Sequence, residues 1–211
     1  MNKLKFFAKS IIVFLCTAGC LSQDEASISL NKKNNNLDQK KDTVMETSIL
    51  GGGCFWCTEA VFERVEGIKD VTSGYAGGEI LNPTYKQICT GTTGHAEVIK
   101  IIYDPDIVTY EQLLQIFAEC HDPTTLNRQG ADVGTQYRST IMYLSDSQEK
   151  AARSWKENLS NKFVDPVVTE IIPAPKFYKA EEYHQDYYTK NPNQGYCSVV
   201  IRPKLKKLKL E

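Results

Sequence analysis

Between Thr47 and Pro203, strand-like runs alternate with capped helical patterns, and this alternation limits what the chain can fold into. Thr47–Leu50, Val71–Tyr75, Ala96–Tyr103, Ser139–Leu144 and Val167–Ile172 read as strands. Helices are expected over Cys54–Val65, from Thr109 through Phe117, from Ser145 to Phe163, and over Ala180–Tyr188. The first carries Val61, Phe62 and Val65 on one face and stops at Gly67. Thr109 with Gln112, and Ser145 with Gln148, fit capping boxes that open the next two. Interleaved elements of both kinds point to an α/β (α+β) sandwich with a mixed β-sheet. Two spans, Tyr75–His95 and His121–Arg138, read as irregular. Loops of that length inside a compact domain are often functional.

Upstream of this domain the composition changes. "MNKLKFFAKSIIVFLCTAGC" has Lys3, Lys5 and Lys9, an apolar run from Ile11 to Leu15, then small residues ending at Cys20. That is the layout of an export signal, and the run is shorter than the roughly 20 apolar residues that span a bilayer. Thr17-Ala18-Gly19-Cys20 resembles the bacterial lipobox, which makes Cys20 a candidate lipidation site and the cell envelope the expected location. Residues 21–46 are dominated by Asn, Lys, Gln and Asp and read as a disordered tether. The folded domain is expected over residues 47–203, and residues 204–211, "KLKKLKLE", read as a solvated basic tail. The formal net charge of −1 gives no argument for a nucleic-acid partner.

The stretch with the most chemistry is "GGGCFWC", Gly51 to Cys57. Of seven cysteines, Cys16 and Cys20 belong to the signal region, which leaves five in an exported domain. An odd number leaves at least one outside a structural disulfide. Cys54 sits where a glycine-rich loop enters a helix, and unpaired N–H groups at a helix start favour a thiolate. Phe55 and Trp56 supply apolar walls beside the sulfur. Cys54-Phe55-Trp56-Cys57 is also a CxxC. It is read as a redox pair and not half a zinc site, because there is no second CxxC and His95, His121 and His184 lack paired spacing.

The longer blocks "GCFWCTEAVFERVEGI", "NPTYKQICTGTTGHAEVIKIIYDP", "LLQIFAECHDPTTLNRQG", "GTQYRSTIMY" and "KNPNQGYC" resemble the A-type peptide-methionine sulfoxide reductases, in family order from Gly51 to Cys197. The resemblance implies a two-layer fold with a ferredoxin-like core, and reduction of methionine S-sulfoxide, free or in proteins, without a metal or organic cofactor. It implies that Cys54 is the nucleophile and that Glu97, in Gly94-His95-Ala96-Glu97, is the acid. Tyr85 and Tyr137 match its two oxygen-binding hydroxyls, Phe55 and Trp56 its methyl pocket, and Asp132 a binding-site residue. Ala131 departs from the Asn usual before that Asp. Glu97 shares a strand face with Ile99 and Ile101, so its carboxyl is expected to hold its proton to higher pH than usual.

Attack on the sulfoxide leaves a sulfenic acid on Cys54, which another thiol must resolve. Cys57 and Cys197 are both candidates. Either Cys57 reacts first and passes the oxidation to Cys197, expected on a mobile C-terminal segment, or Cys197 resolves Cys54 directly. A thioredoxin-like dithiol is the implied external reductant, and the protein is expected to act as a monomer. Cys89 and Cys120 carry no motif. Two other classes fit parts of the sequence: a thioredoxin-like disulfide oxidoreductase, from the CxxC, and an anchored peptide-binding module. Neither accounts for the remaining blocks, and neither would reduce methionine sulfoxide with dithiothreitol.

Overall fold

The computed structural model describes residues 43–211. The expected export signal, Cys20 and most of the tether lie outside the described residues. Strands β1 (Glu46–Gly52), β2 (Ile68–Ala76), β3 (Ala96–Tyr103), β6 (Ser139–Tyr143), β7 (Glu170–Pro173) and β8 (Tyr178–Lys179) form a six-stranded sheet in the order β7-β6-β1-β3-β2-β8. Every pairing is antiparallel except β6 with β7, which makes the sheet mixed. Helices α1 (Phe55–Phe62), α3 (Tyr110–Cys120) and α4 (Asp146–Ser160) complete the main layers. The order β1-α1-β2-β3-α3-β6, with β6-β1-β3-β2 side by side, is the βαββαβ arrangement of a ferredoxin-like core.

The sheet is buried on both faces, and alternation along each strand divides the core. Leu50, Ile99, Ile101 and Ile141 face the helices, where they meet Val61, Phe62, Leu113, Leu114 and Phe117. Their neighbours Ile49, Val98 and Met142 face the other way, under Ile172, Ala174 and Phe177. Helix α1 is buried nearly all round, with only Trp56 partly exposed, as expected of a helix wedged into a core. The capping boxes at Thr84 and Thr109 are complete, and Ser145 accepts from the Gln148 N–H. The first of these opens α2 (Tyr85–Ile88), a four-residue helix within a span read as irregular. The second such span holds a small hairpin, β4 (Arg128–Gln129) with β5 (Asp132–Val133), and a 3₁₀ turn at Thr135–Tyr137.

The C-terminus departs from expectation. Residues 204–211 are not a solvated tail. Cys197–Ile201 is a π-helical turn that runs into α6 (Arg202–Lys207). Ile201 and Leu205 are fully buried, Leu208 and Leu210 pack on the core, and the Tyr188 hydroxyl donates to Glu211 Oε1 at 2.9 Å. Lys206, Lys207 and Lys209 are exposed while Leu205 and its neighbours at helical spacing bury, which is enough to dock a short amphipathic segment. The Ala180–Tyr188 helix is instead a 3₁₀ turn, Glu182–His184, followed by α5 (Tyr187–Lys190) after a left-handed Asp186 at φ 52°.

Candidate active site

The site is built where β1 ends and α1 begins. Gly53 has φ +89°, a conformation that L side chains rarely adopt. A Cβ on Gly51 would lie 2.8 Å from Thr140 and 2.9 Å from the Glu97 carbonyl. These contacts require glycine on the approach to the thiol. Cys54 is the N-cap of α1 and makes no side-chain cap bond. Glu97, on the adjacent strand β3, takes that role: its Oε2 accepts the Phe55 N–H at 3.0 Å. The nucleophile candidate and the acid candidate are thereby fixed to the same helix end.

Glu97 is 2% exposed, and burial pushes its carboxyl up to about 8, against the opposing Phe55 N–H bond. The raised value expected from its apolar strand face is present. The helix start does not have the effect expected for Cys54. Burial pushes that thiol well above the ordinary range, helped by its hydrogen bond to Cys57 and by the Glu97 charge. Cys57 is lowered to about 7, first by that hydrogen bond from Cys54. Of the two thiols Cys57 is the more acidic, so the negative charge is favoured there. Protonation of Glu97 removes one charge that opposes a thiolate on Cys54.

Around this pair the structure gathers the other candidates. Tyr85 and Tyr137 are half-buried, and desolvation with the nearby Glu97 charge raises both phenols, so they remain hydroxyl donors. The Tyr85 N–H is held by Glu181 Oε1 at 2.8 Å. Phe55 and Trp56 lie 6.3 Å apart between ring centroids. A cavity of about 200 Å³ is lined by both thiols together with Asp132, Tyr196 and Lys204. The Tyr196 hydroxyl donates to Asp132 Oδ2 at 2.7 Å and lies 3.6 Å from Cys57 Sγ. A larger groove of about 840 Å³ between α3 and α4 contains none of these groups. Cys197 is not on a loose segment: it is fully buried in the π-helical turn, within reach of the charge on Cys57. Cys89 is exposed and Cys120 buried.

Several contributors lack a motif recognisable in one sequence. The Trp56 indole N–H donates to His184 Nδ1 at 3.1 Å, and Tyr187 stacks on the indole at 3.6 Å with a 6° tilt. Both come from the segment Tyr183–Tyr188, whose cluster of aromatic rings was the available signal.

Comparison with known proteins agrees with this geometry. The family model for peptide methionine sulfoxide reductase matches residues 46–211. The chain belongs to the peptide methionine sulfoxide reductase family. It is 59% identical over 162 residues to "Peptide methionine sulfoxide reductase MsrA 1" of Rhodopirellula baltica, covering 77% of this chain and 84% of that one. It is 56% identical over 163 residues to the MsrA of Sulfolobus acidocaldarius, covering 77% and 93%. Among solved structures, methionine sulfoxide reductase A of Corynebacterium diphtheriae superposes with a TM-score of 0.70 at 40% identity, covering 74% of this chain and 78% of that one. Reduced Mxr1 of Saccharomyces cerevisiae gives 0.69 at 40% identity, covering 72% and 89%. The mixed sheet and ferredoxin-like core are thus those of a sulfoxide reductase of this family.

Proposed function

We propose that the protein reduces the S epimer of methionine sulfoxide to methionine at Cys54, with Glu97 as proton donor. The observation that carries this reading is the buried Glu97 carboxyl bonded to the N–H next to Cys54 and held protonated to about 8. The Cys54 thiolate, reached by proton transfer to Cys57, attacks sulfur. Glu97 protonates the sulfoxide oxygen, and the Tyr85 and Tyr137 hydroxyls donate to it as negative charge develops. The S–O oxygen ends on Cys54 as a sulfenic acid while methionine departs with the electron pair. Phe55 and Trp56 receive the methyl group, and Asp132, held by the Tyr196 hydroxyl, lines the cavity beside the two thiols. Cys57, whose N–H bonds the Cys54 carbonyl at 3.0 Å, attacks the sulfenic sulfur and releases water. Cys197 then carries the oxidation outward after its turn unwinds, which its burial requires.

An external dithiol completes the cycle. One matching solved structure is Mxr1 of Saccharomyces cerevisiae in complex with Trx2, with a TM-score of 0.51 at 28% identity. A thioredoxin-like reductant is the corresponding partner here, and no prosthetic group is needed. With dithiothreitol, the S-sulfoxide of N-acetylmethionine amide should disappear while the R epimer persists. Consumption of both at similar rates would contradict the reading.

The N-terminal sequence supports export and lipid anchoring, with Cys20 the lipidated residue. Among the described residues no helix is long and apolar enough to cross a membrane. One acyl chain holds weakly and stable anchoring needs more than one. The mature protein is expected in the detergent phase of a Triton X-114 separation, and Cys20→Ala in the aqueous phase or unprocessed. An aqueous wild type would overturn the anchor and leave the enzyme reading intact.

A further inference from the structure

Glu59 is a charged residue in the middle of the buried helix α1 and is itself 1% exposed. Its carboxylate has two partners from different parts of the chain. Oε1 accepts from the Ser73 hydroxyl on β2 at 2.9 Å, and Oε2 accepts from the Tyr187 N–H at 3.0 Å. The second bond falls immediately after the left-handed Asp186, where the chain turns sharply into α5. Tyr187 then lays its ring flat on the Trp56 indole at 3.6 Å. Trp56 and Glu59 are three residues apart, so they stand on the same side of α1. The indole is therefore clamped between its own helix and a ring whose backbone is tied to that helix by the carboxylate.

We propose that Glu59 is a positioning residue for the methyl pocket, fixing the plane of Trp56 by holding the backbone of Tyr187. The inference rests on Trp56 being a wall of that pocket. A helix core this apolar would accommodate methionine or leucine at the position, and a buried carboxylate is retained only where its acceptors are used. Here both oxygens are used, and one of them sets the turn that delivers the stacking ring.

The test is a single-turnover titration with N-acetylmethionine S-sulfoxide amide and its S-ethyl analogue. Glu59→Met keeps the volume and removes both acceptors. It is expected to raise the half-saturating substrate concentration about tenfold, comparable to a misplaced apolar contact. The rate at saturation should stay within about twofold, and discrimination against the ethyl analogue should fall. Glu59→Gln retains an acceptor for the Tyr187 N–H and should restore most of the affinity. In a Tyr187→Ala background, which already lacks the stacking ring, Glu59→Met should have little further effect, since the two residues act as one unit. Ser73→Ala, a milder loosening of the same carboxylate, should raise the half-saturating concentration about threefold and serves if Glu59→Met does not fold. Unchanged affinity and methyl preference in a folded Glu59→Met or Ser73→Ala would overturn the inference, as would equal losses with and without the Tyr187 ring. A Trp56→Ala control separates the two readings. If it weakens binding while the Glu59 variant does not, only the Glu59 inference fails. If Trp56→Ala binds like the wild type, the pocket assignment fails and the inference with it.

Discussion

Cys54→Ser should lose S-sulfoxide reduction by on the order of 10⁴-fold or more, the scale seen when a covalent nucleophile is removed. A serine hydroxyl is far from ionised at neutral pH, and its oxygen cannot accept the sulfoxide oxygen as sulfur does. The fold should not suffer. Cys54 is the N-cap of α1 without a side-chain cap bond, and serine is among the residues preferred there, with a benefit of up to about 1 kcal/mol. Thermal unfolding of the variant should therefore match or exceed that of the wild type. Activity within tenfold of wild type would remove Cys54 from the nucleophile role.

Glu97→Gln has the next largest expected effect, a loss of about 10²-fold in the sulfoxide step. The amide oxygen can still accept the Phe55 N–H that Glu97 now takes at 3.0 Å, so the α1 cap survives while the transferable proton is gone. The pH profile carries a second prediction. Glu97 must be protonated and one thiol of the pair ionised. The wild-type rate should rise as pH passes about 7, where Cys57 ionises, and fall as it passes about 8, where Glu97 loses its proton. In Glu97→Gln the alkaline fall should disappear. If the variant keeps the wild-type profile at wild-type rate, Glu97 is structural.

Much of the fold was legible because its signals are local. The capping pairs at Thr109 and Ser145 marked the starts of α3 and α4, the run Ala96–Tyr103 matches β3 end to end, and Ser139–Leu144 contains all of β6. The capping box at Thr84 was equally explicit, but the helix it opens is only four residues long and has no apolar period to read. The tail was misread because lysines dominate "KLKKLKLE" while burial depends on Leu205, Leu208 and Leu210. At the site, the motif blocks drew attention to residues that the fold does bring together around Cys54 and Glu97. The thiol ionisation was not readable, because helix-end stabilisation is a local effect and the burial that outweighs it is tertiary. Glu59, His184 and Tyr187 escaped for the same reason: each acts through a partner more than a hundred residues away in sequence.

The most direct measurement is one turnover without reductant, quenched in acid, followed by alkylation after unfolding and peptide mass mapping. Given one equivalent of S-sulfoxide, the wild type should release one methionine per enzyme and carry a Cys54–Cys57 or downstream Cys57–Cys197 disulfide. Cys57→Ser, treated with dimedone during the reaction, should still release one methionine and carry the sulfenic-acid adduct on Cys54. Release of methionine with the adduct on any other cysteine, or no release from Cys57→Ser, would contradict the assignment of Cys54 as the residue that takes the oxygen.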